Sequence, residues 1–308
     1  MLLTERRDLA LVQLGRLLRG RGYRFTTITP ESHRRVNARP GNAVARTLRD
    51  VFGWSRPFTP DTIPVEMLTL LSDAGSVIQD GPMLRAAVRF SSAGHDLYVH
   101  SAFPTTQSDS VFFGPDTYRY LDLLRRLAPR SRRAIDIGCG TGAGGLFIAP
   151  SCAAVVLSDI NESALRYARV NAAINEIENV QAVRSDVLGG VEGSFDLVIS
   201  NPPYLIDDQA RLYRDGRGRF GEGLSVEITR QSIDRLERGG RLILYTATAV
   251  VDGVDTFRES VSALLTDRVT YRYEEIDPDV FGEELDRSIY GSVDRIAVVA
   301  LDLTTAGR

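Results

Sequence analysis

From residue 132 onward, short apolar runs alternate with longer amphipathic ones, and this alternation constrains the fold more than any other feature of the chain. The runs "RAIDIG", "AAVVLSD", "VQAVRSD", "FDLVISN" and "RLILYTA" read as strands, and "SALRYARVNAAI" and "EITRQSIDRLE" read as helices between them. Strand and helix taking turns predict a parallel sheet covered on both faces. "VTYRYEEID" and "VDRIAVVALDL" follow with only a loop between them, which predicts an antiparallel pair at one sheet edge. No internal repeat or low-complexity tract interrupts the pattern.

The first hundred residues have a different texture. Leu9, Val12, Leu14, Leu17 and Leu18 form a helical stripe that "RGRG" at 19–22 terminates. A second helix is expected from Pro64, a suitable first-turn residue, carrying Val65, Leu68 and Leu71 up to Gly75. After it, "VIQDGPMLRAAVRF" and "HDLYVHSAF" alternate in strand fashion around Asp80-Gly81 and residues 91–94, as a small β-wing would. Residues 1–108 are therefore expected to form an α+β, winged-helix-like domain serving substrate recognition or closure. Residues 109–308 are expected to be catalytic. A wing used only for packing is an equal alternative.

Composition narrows the class. With 43% hydrophobic and 25% charged residues, 308 residues can bury the cores of two ordinary domains. No apolar run approaches the roughly 20 residues that cross a bilayer, so a cytoplasmic location without membrane contact is expected. Cys139 and Cys152 fit neither a disulfide framework nor a metal-ligand spacing; both are expected to be reduced and unligated, and no metal site is expected. His33, His95 and His100 precede the catalytic half and read as surface or packing residues. All 37 basic residues are arginine, and residues 1–56 hold 12 of them against 4 acids, a basic segment on a chain of net charge −3.

The segment "IDIGCGTGAGG" ends the first catalytic strand, and its glycines let the backbone pass close to a ligand. Gly140, Gly142 and Gly145 satisfy G-x-G-x-x-G with Asp159 about 20 residues on, so the loop alone also fits a dinucleotide-binding oxidoreductase. Asp136, two residues before Gly138, tips the balance. A carboxylate repels a pyrophosphate and attracts an ammonium, so the ligand is expected to carry positive charge there.

The D-x-G-x-G-x-G spacing of Asp136 to Gly142 resembles the first motif of class I S-adenosylmethionine-dependent methyltransferases. The resemblance implies a Rossmann-like seven-stranded sheet, mostly parallel with an antiparallel C-terminal edge, and S-adenosyl-L-methionine as cofactor. It implies that Gly138, Gly140 and Gly142 cradle that cofactor, that Asp159 accepts from both ribose hydroxyls and that Asp186 faces the adenine amino group. Ile160 and Val187 stand beside those acids and are expected to touch the cofactor as well. The segment "FFGPDTYRYLDLLRRLA" resembles the part of such enzymes that covers the methionine end, which brings in Phe113. Each acid alone reads equally well as a helix cap, but three at the ends of consecutive strands mark the ligand edge of an open sheet.

Asn201-Pro202-Pro203-Tyr204 stands at the end of the fourth strand. Prolines donate no hydrogen, so the Asn201 side-chain oxygen and the Pro202 carbonyl are left as acceptors for a substrate NH₂, and Tyr204 offers a flat face to a conjugated plane. A simple turn explains Pro-Pro but not its combination with Asn and Tyr. The tetrapeptide is similar to the signature of methyltransferases acting on planar nitrogens, namely adenine amines and the glutamine side chains of release factors or a ribosomal protein. Asn201, Pro202 and Tyr204 are the expected catalytic residues, with Asn201 also touching the cofactor.

No strong base is required, since positioning supplies most of the effect. The Gly- and Arg-rich connection 205–223 is expected to close over the substrate. A protein glutamine is favoured narrowly. The basic N-terminus with Arg85 and Arg89 speaks for a nucleic-acid base amine. A small metabolite and, from another class, an NAD-binding oxidoreductase are the remaining alternatives. Oligomeric state is not legible.

Overall fold

The structure, a computed structural model, describes residues 5–209 and 211–307. Four helices and two hairpins precede the main sheet: α1 (Arg6–Gly20), α2 (Pro30–Asn37), α3 (Leu48–Phe52), α4 (Val65–Asp73), β1 (Val77–Asp80), β2 (Met83–Ala86), β3 (Val88–Ala93) and β4 (Asp96–Ser101). Then follow α5 (Pro115–Leu127), β5 (Ser131–Ile137), α6 (Ala143–Ile148), β6 (Cys152–Asp159), α7 (Glu162–Ile174), β7 (Val180–Arg184), β8 (Phe195–Ser200) and α8 (Gly223–Arg235). The chain ends with β9 (Leu236–Val251), β10 (Val254–Asp255), α9 (Thr256–Val261), β11 (Val269–Asp277) and β12 (Arg295–Thr305).

Seven strands run in the order β11-β12-β9-β8-β5-β6-β7, and two-residue β10 hooks back on β9 as an eighth. β7, β6, β5, β8 and β9 are mutually parallel, while β12 and β11 are antiparallel, which is the expected edge pair. Side-chain alternation divides each central strand between two cores. Ala134, Leu197 and Ile243 join the layer of α5, α6 and α7, whereas Ile135, Val198 and Leu244 join that of α8 and α9.

Topology explains where a ligand can bind. The chain leaves β5 for β6 and β7, then returns to the other side of β5 as β8, so the β5/β8 boundary is a topological switch point. Ile137 pairs with Ser158 on one side and Ser200 on the other, and Ser158 pairs with Val183. The residues just beyond this row, Gly138, Asp159 and Asn201, therefore emerge side by side. Ser200 Oγ donates to the Ile137 carbonyl at 2.7 Å and stitches the two key strands at their ends.

The first hundred residues depart from expectation in several places. On α1 the fully buried side chains are Leu11, Leu14 and Leu18, while Leu9 is exposed; on α4 Met67 and Leu71 are buried and Val65 faces solvent. The hairpins do not form a free wing. β3 and β4 are largely buried, and their Val88, Phe90, Leu97 and Val99 share a core with α1 and with Val170 and Ile174 of α7. Asn171 of α7 and Asn175 at its C-terminal cap, one turn apart, act as a surrogate strand. Asn171 accepts from Val99 N at 2.7 Å and donates to Val99 O at 3.0 Å, and Asn175 does the same for Leu97 at 3.0 Å each.

Arg89 is thereby corrected as a phosphate ligand, while Arg85 stays half-exposed. Arg85 is tied to Asp80 and to the Ser55 carbonyl. Arg89 is buried, donating to Gly53 O at 2.7 Å and His33 Nδ1 at 3.1 Å over the Phe25 ring. His33 and His100 are interior, His95 is exposed, and both cysteines are free thiols. Among the described residues no helix is long and apolar enough to cross a membrane.

Candidate active site

Gly138 and Gly140 have φ of 66° and 53°, the left-handed region that side-chain-bearing residues rarely occupy, so the turn from β5 to α6 needs glycine at both. The turn bares backbone at the floor of a crevice of about 470 Å³. Asp159 holds the turn in place: its carboxylate accepts from Gly140 N and Asn161 N, each at 2.9 Å. Asp136 Oδ2 accepts from Gly145 N at 2.7 Å.

Neither carboxylate pairs with an arginine among the described residues, and both face the crevice. Burial pushes Asp136 up to about 7, opposed by the Gly145 N–H and reinforced by the neighbouring Asp159. Burial also raises Asp159, against the N–H groups of Asn161 and Gly140. Beside them the Tyr120 hydroxyl is buried with no hydrogen-bond partner among the described residues. Six carboxylates and two arginines line the crevice as a whole, so it is strongly acidic. A cationic ligand with further polar groups for Tyr120 fits this donor and acceptor set, as S-adenosylmethionine does.

Asp136, Gly138, Gly140, Asp159, Ile160, Asp186, Val187, Asn201, Pro202 and Tyr204 all line the crevice. Asp186 is solvent-exposed and stands 3.9 Å from the Arg217 guanidinium. Two expected residues do not line it. Phe113 turns into the core, with its ring 5.4 Å from those of Tyr98 and His100, and the adjacent Phe112 takes the crevice wall. Gly142, φ 79°, packs against α7, where a side chain would crowd Ala168.

The Asn201 side-chain amide makes no hydrogen bond to any described residue and opens into the crevice. Tyr204 lies with its ring 6.0 Å from Phe281. Burial raises its hydroxyl well above the ordinary tyrosine range, with the Asp116 carboxylate adding to the effect. Asp116 in turn accepts from the Tyr245 hydroxyl at 3.0 Å and from Arg119 at 3.1 Å.

Segment 205–223 is a buttress as well as a roof. Leu205 N donates to Arg214 O and Gly216 N to Leu205 O, laying the returning chain against the Asn201–Tyr204 backbone. Gly221, φ 105°, sits so close to the Tyr204 carbonyl that any side chain would collide with it. Arg211 pairs with Asp207, Arg214 with Glu284, and Arg287 with Glu284 and Asp208, tying the segment to residues 282–287. The pairing with Arg211 holds the Asp207 carboxyl down at about 2. Across the crevice Tyr213 stacks on Phe112 at 5.8 Å and donates to the Thr105 carbonyl at 3.0 Å.

Sequence reading missed Tyr120, Asp116, Phe281 and Pro30, all of which line the crevice. Asp116 and Tyr120 had a usable signal, since both lie in the segment "FFGPDTYRYLDLLRRLA" and, four residues apart, share one face of α5.

Residues 120–262 match the family model of the methyltransferase small domain. Over 167 residues the chain is 30% identical to the release factor glutamine methyltransferase of Lactococcus lactis subsp. lactis, spanning 50% of this chain and 59% of that protein. The protein of the same description from Deinococcus radiodurans is 33% identical over 171 residues, spanning 53% and 59%. The chain thus spans under two thirds of the length of these relatives. A crystal structure of a tRNA methyltransferase from M. jannaschii superposes with a TM-score of 0.51 at 14% identity, over 73% of this chain and 61% of that one, which shows a common fold. Residues 120–262, which carry the parallel strands of the Rossmann-like sheet, thus match a methyltransferase small domain, and that family implies S-adenosylmethionine as methyl donor.

Proposed function

We propose that this protein transfers a methyl group to a conjugated nitrogen, in first place the side-chain amide of a protein glutamine. The observation that carries this is the free Asn201 amide, which shares one crevice with Asp136 and Asp159 and adjoins Pro202, a residue without an N–H. The relatives described as release factor glutamine methyltransferases support the choice of acceptor. In this reading residues 109–308 are the catalytic domain and residues 1–108 recognise the substrate. A cytoplasmic location belongs to the same proposal.

S-adenosylmethionine, when bound, supplies the electrophilic methyl group and its leaving group. Asp136 holds the ammonium, Asp159 accepts from the ribose hydroxyls, and Asp186, Ile160 and Val187 flank the base. Asn201 Oδ1 and the Pro202 carbonyl each accept one hydrogen from the substrate NH₂, which aims the nitrogen lone pair. Tyr204 and Phe281 flank the amide plane. The N-methylated cation then releases its proton to water.

Labelled methyl transfer into a cell extract, fractionated into protein, RNA, DNA and metabolites, tests the reading. Label is expected in protein and should return as methylglutamine on digestion. Label confined to RNA or DNA would instead establish a base amine as acceptor.

Two further outcomes are expected at the cofactor site. Asp159→Ala should weaken S-adenosylhomocysteine binding by about 2–4 kcal/mol, since two hydroxyls lose a charged acceptor. Calorimetry on the folded variant decides it; unchanged affinity would return Asp159 to a purely loop-holding role.

The second outcome is a pH profile. Asp136 must be ionised to hold an ammonium, and in the free protein its carboxyl titrates at about 7. Below that pH a proton competes with the ligand, so affinity should fall about tenfold per pH unit on the acid side. Above it affinity should level off, then decline once the ligand's amine, with an ordinary value of about 8, loses its own proton. Asp136→Asn should flatten the acid limb. Calorimetric titrations from pH 5 to 9 would show whether it does.

A further inference from the structure

A second cleft, of about 700 Å³, opens on the other flank of α5. Arg24, Arg49 and Arg125 line it against one carboxylate, Asp122, with Trp54 and Tyr118 as aromatic walls. Arg125 pairs with Asp122, and Arg24 donates to the Gly94 carbonyl at 3.0 Å. The Arg49 guanidinium is exposed and bonds to no described residue.

The cleft adjoins the catalytic crevice without opening into it. The wall between them is closed by Thr27 N donating to the Tyr118 hydroxyl at 3.0 Å. Over this wall runs the segment 24–30, with Ile28 facing the cleft and Pro30 the crevice. Those two residues are at most about 7 Å apart along an extended chain. A polymer that leaves the crevice past Pro30 would therefore meet the cleft at Ile28.

The two spaces have opposite sign, since six carboxylates to two arginines line the crevice and three arginines to one carboxylate line the cleft. A nucleic acid carries a phosphate on either side of every base. It would bring those phosphates into the acidic crevice, well within the screening distance of about 8–10 Å. A polypeptide can instead present a neutral glutamine to the crevice and carboxylates a few residues away.

We propose that the arginine-lined cleft is a subsite for an acidic stretch of the polypeptide whose glutamine is methylated; this rests on the function proposed above. Rim charges of this kind steer encounter and select among partners.

Trp54 is the sole tryptophan of the chain, so its emission reports on the cleft directly. Titrating the intact protein with an oligoglutamate peptide should change that emission saturably, with affinity falling as salt rises. Arg24→Ala with Arg49→Ala should weaken the response about tenfold while leaving S-adenosylhomocysteine affinity unchanged. A neutral glutamine-glycine peptide should give no response. Tighter saturation by oligouridylate than by oligoglutamate would overturn the proposal, and so would a silent Trp54 or a response that the double variant retains. The labelled-methyl experiment separates the two possible failures. Label in protein with a silent Trp54 removes only the subsite, whereas label confined to RNA removes the glutamine reading whatever Trp54 reports.

Discussion

Asn201→Ala should lower single-turnover methyl transfer by about 100-fold or more while leaving S-adenosylhomocysteine affinity nearly unchanged. The fold has little stake in this side chain, because its amide bonds to no described residue and only its backbone continues β8. The substrate has a large one. Without the Oδ1 acceptor one hydrogen of the NH₂ is unpaired in a water-poor crevice, at a cost of about 1–3 kcal/mol, and the nitrogen is no longer held on line. A displacement of about 1 Å is enough for a loss of that size. Asn201→Asp keeps an acceptor but adds charge to an already acidic crevice, so it should fall between the wild type and alanine. Rapid-quench measurement with saturating cofactor reads the chemical step directly. An alanine variant with full rate would dismiss the nitrogen clamp.

The second large effect is on stability. Asn171 is fully buried and makes three hydrogen bonds, two with Val99 and one, at 3.0 Å, to the Thr141 carbonyl in the glycine turn. Asn171→Ala leaves one N–H and two carbonyls unpaired in the interior. At about 1–3 kcal/mol for each buried orphan, a loss of roughly 3–5 kcal/mol is expected. For a chain of this length that lowers the thermal midpoint by roughly 6–15 °C. Asn175→Ala, on the half-buried end of the same ladder, should cost about 1–2 kcal/mol. Thermal unfolding followed by circular dichroism provides the comparison; equal shifts for the two would mean that burial of the Asn171 partners is not what matters. Because Thr141 belongs to the glycine turn, the Asn171 variant should also bind cofactor more weakly, which links the N-terminal core to the crevice.

Local backbone chemistry made part of this protein legible without coordinates. Glycines at 138 and 140 answer a left-handed turn that no other residue makes cheaply, and Asp136 and Asp159 stand beside it because β5 and β6 end in register. Asn201 follows β8, which pairs in parallel with β5 and buries both its faces through consecutive apolar residues such as Leu197 and Val198. Periodicity of this sort determines which strands form, where they end and hence which polar groups share the ligand edge.

What lay beyond reach depended on surfaces meeting across the chain. Phe112 and Phe113 are chemically identical neighbours, and only the packing of Tyr98 and His100 decided which one faces the crevice. Arg89 sits on a hairpin that looks exposed in sequence, yet its guanidinium is buried because His33 of α2, the Gly53 carbonyl after α3 and the Phe25 ring close over it. Segment 205–223 has the composition of a free lid, but pairing of Arg214 with Glu284, 70 residues away, makes it a support for the Asn201–Tyr204 turn. The motif residues were determined by sequence because their constraint is local: a dihedral angle, a missing N–H or a strand end. The walls of the crevice, the burial of the arginines and the anchoring of the loop were decided by tertiary structure, because burial and charge pairing depend on which distant segments come together.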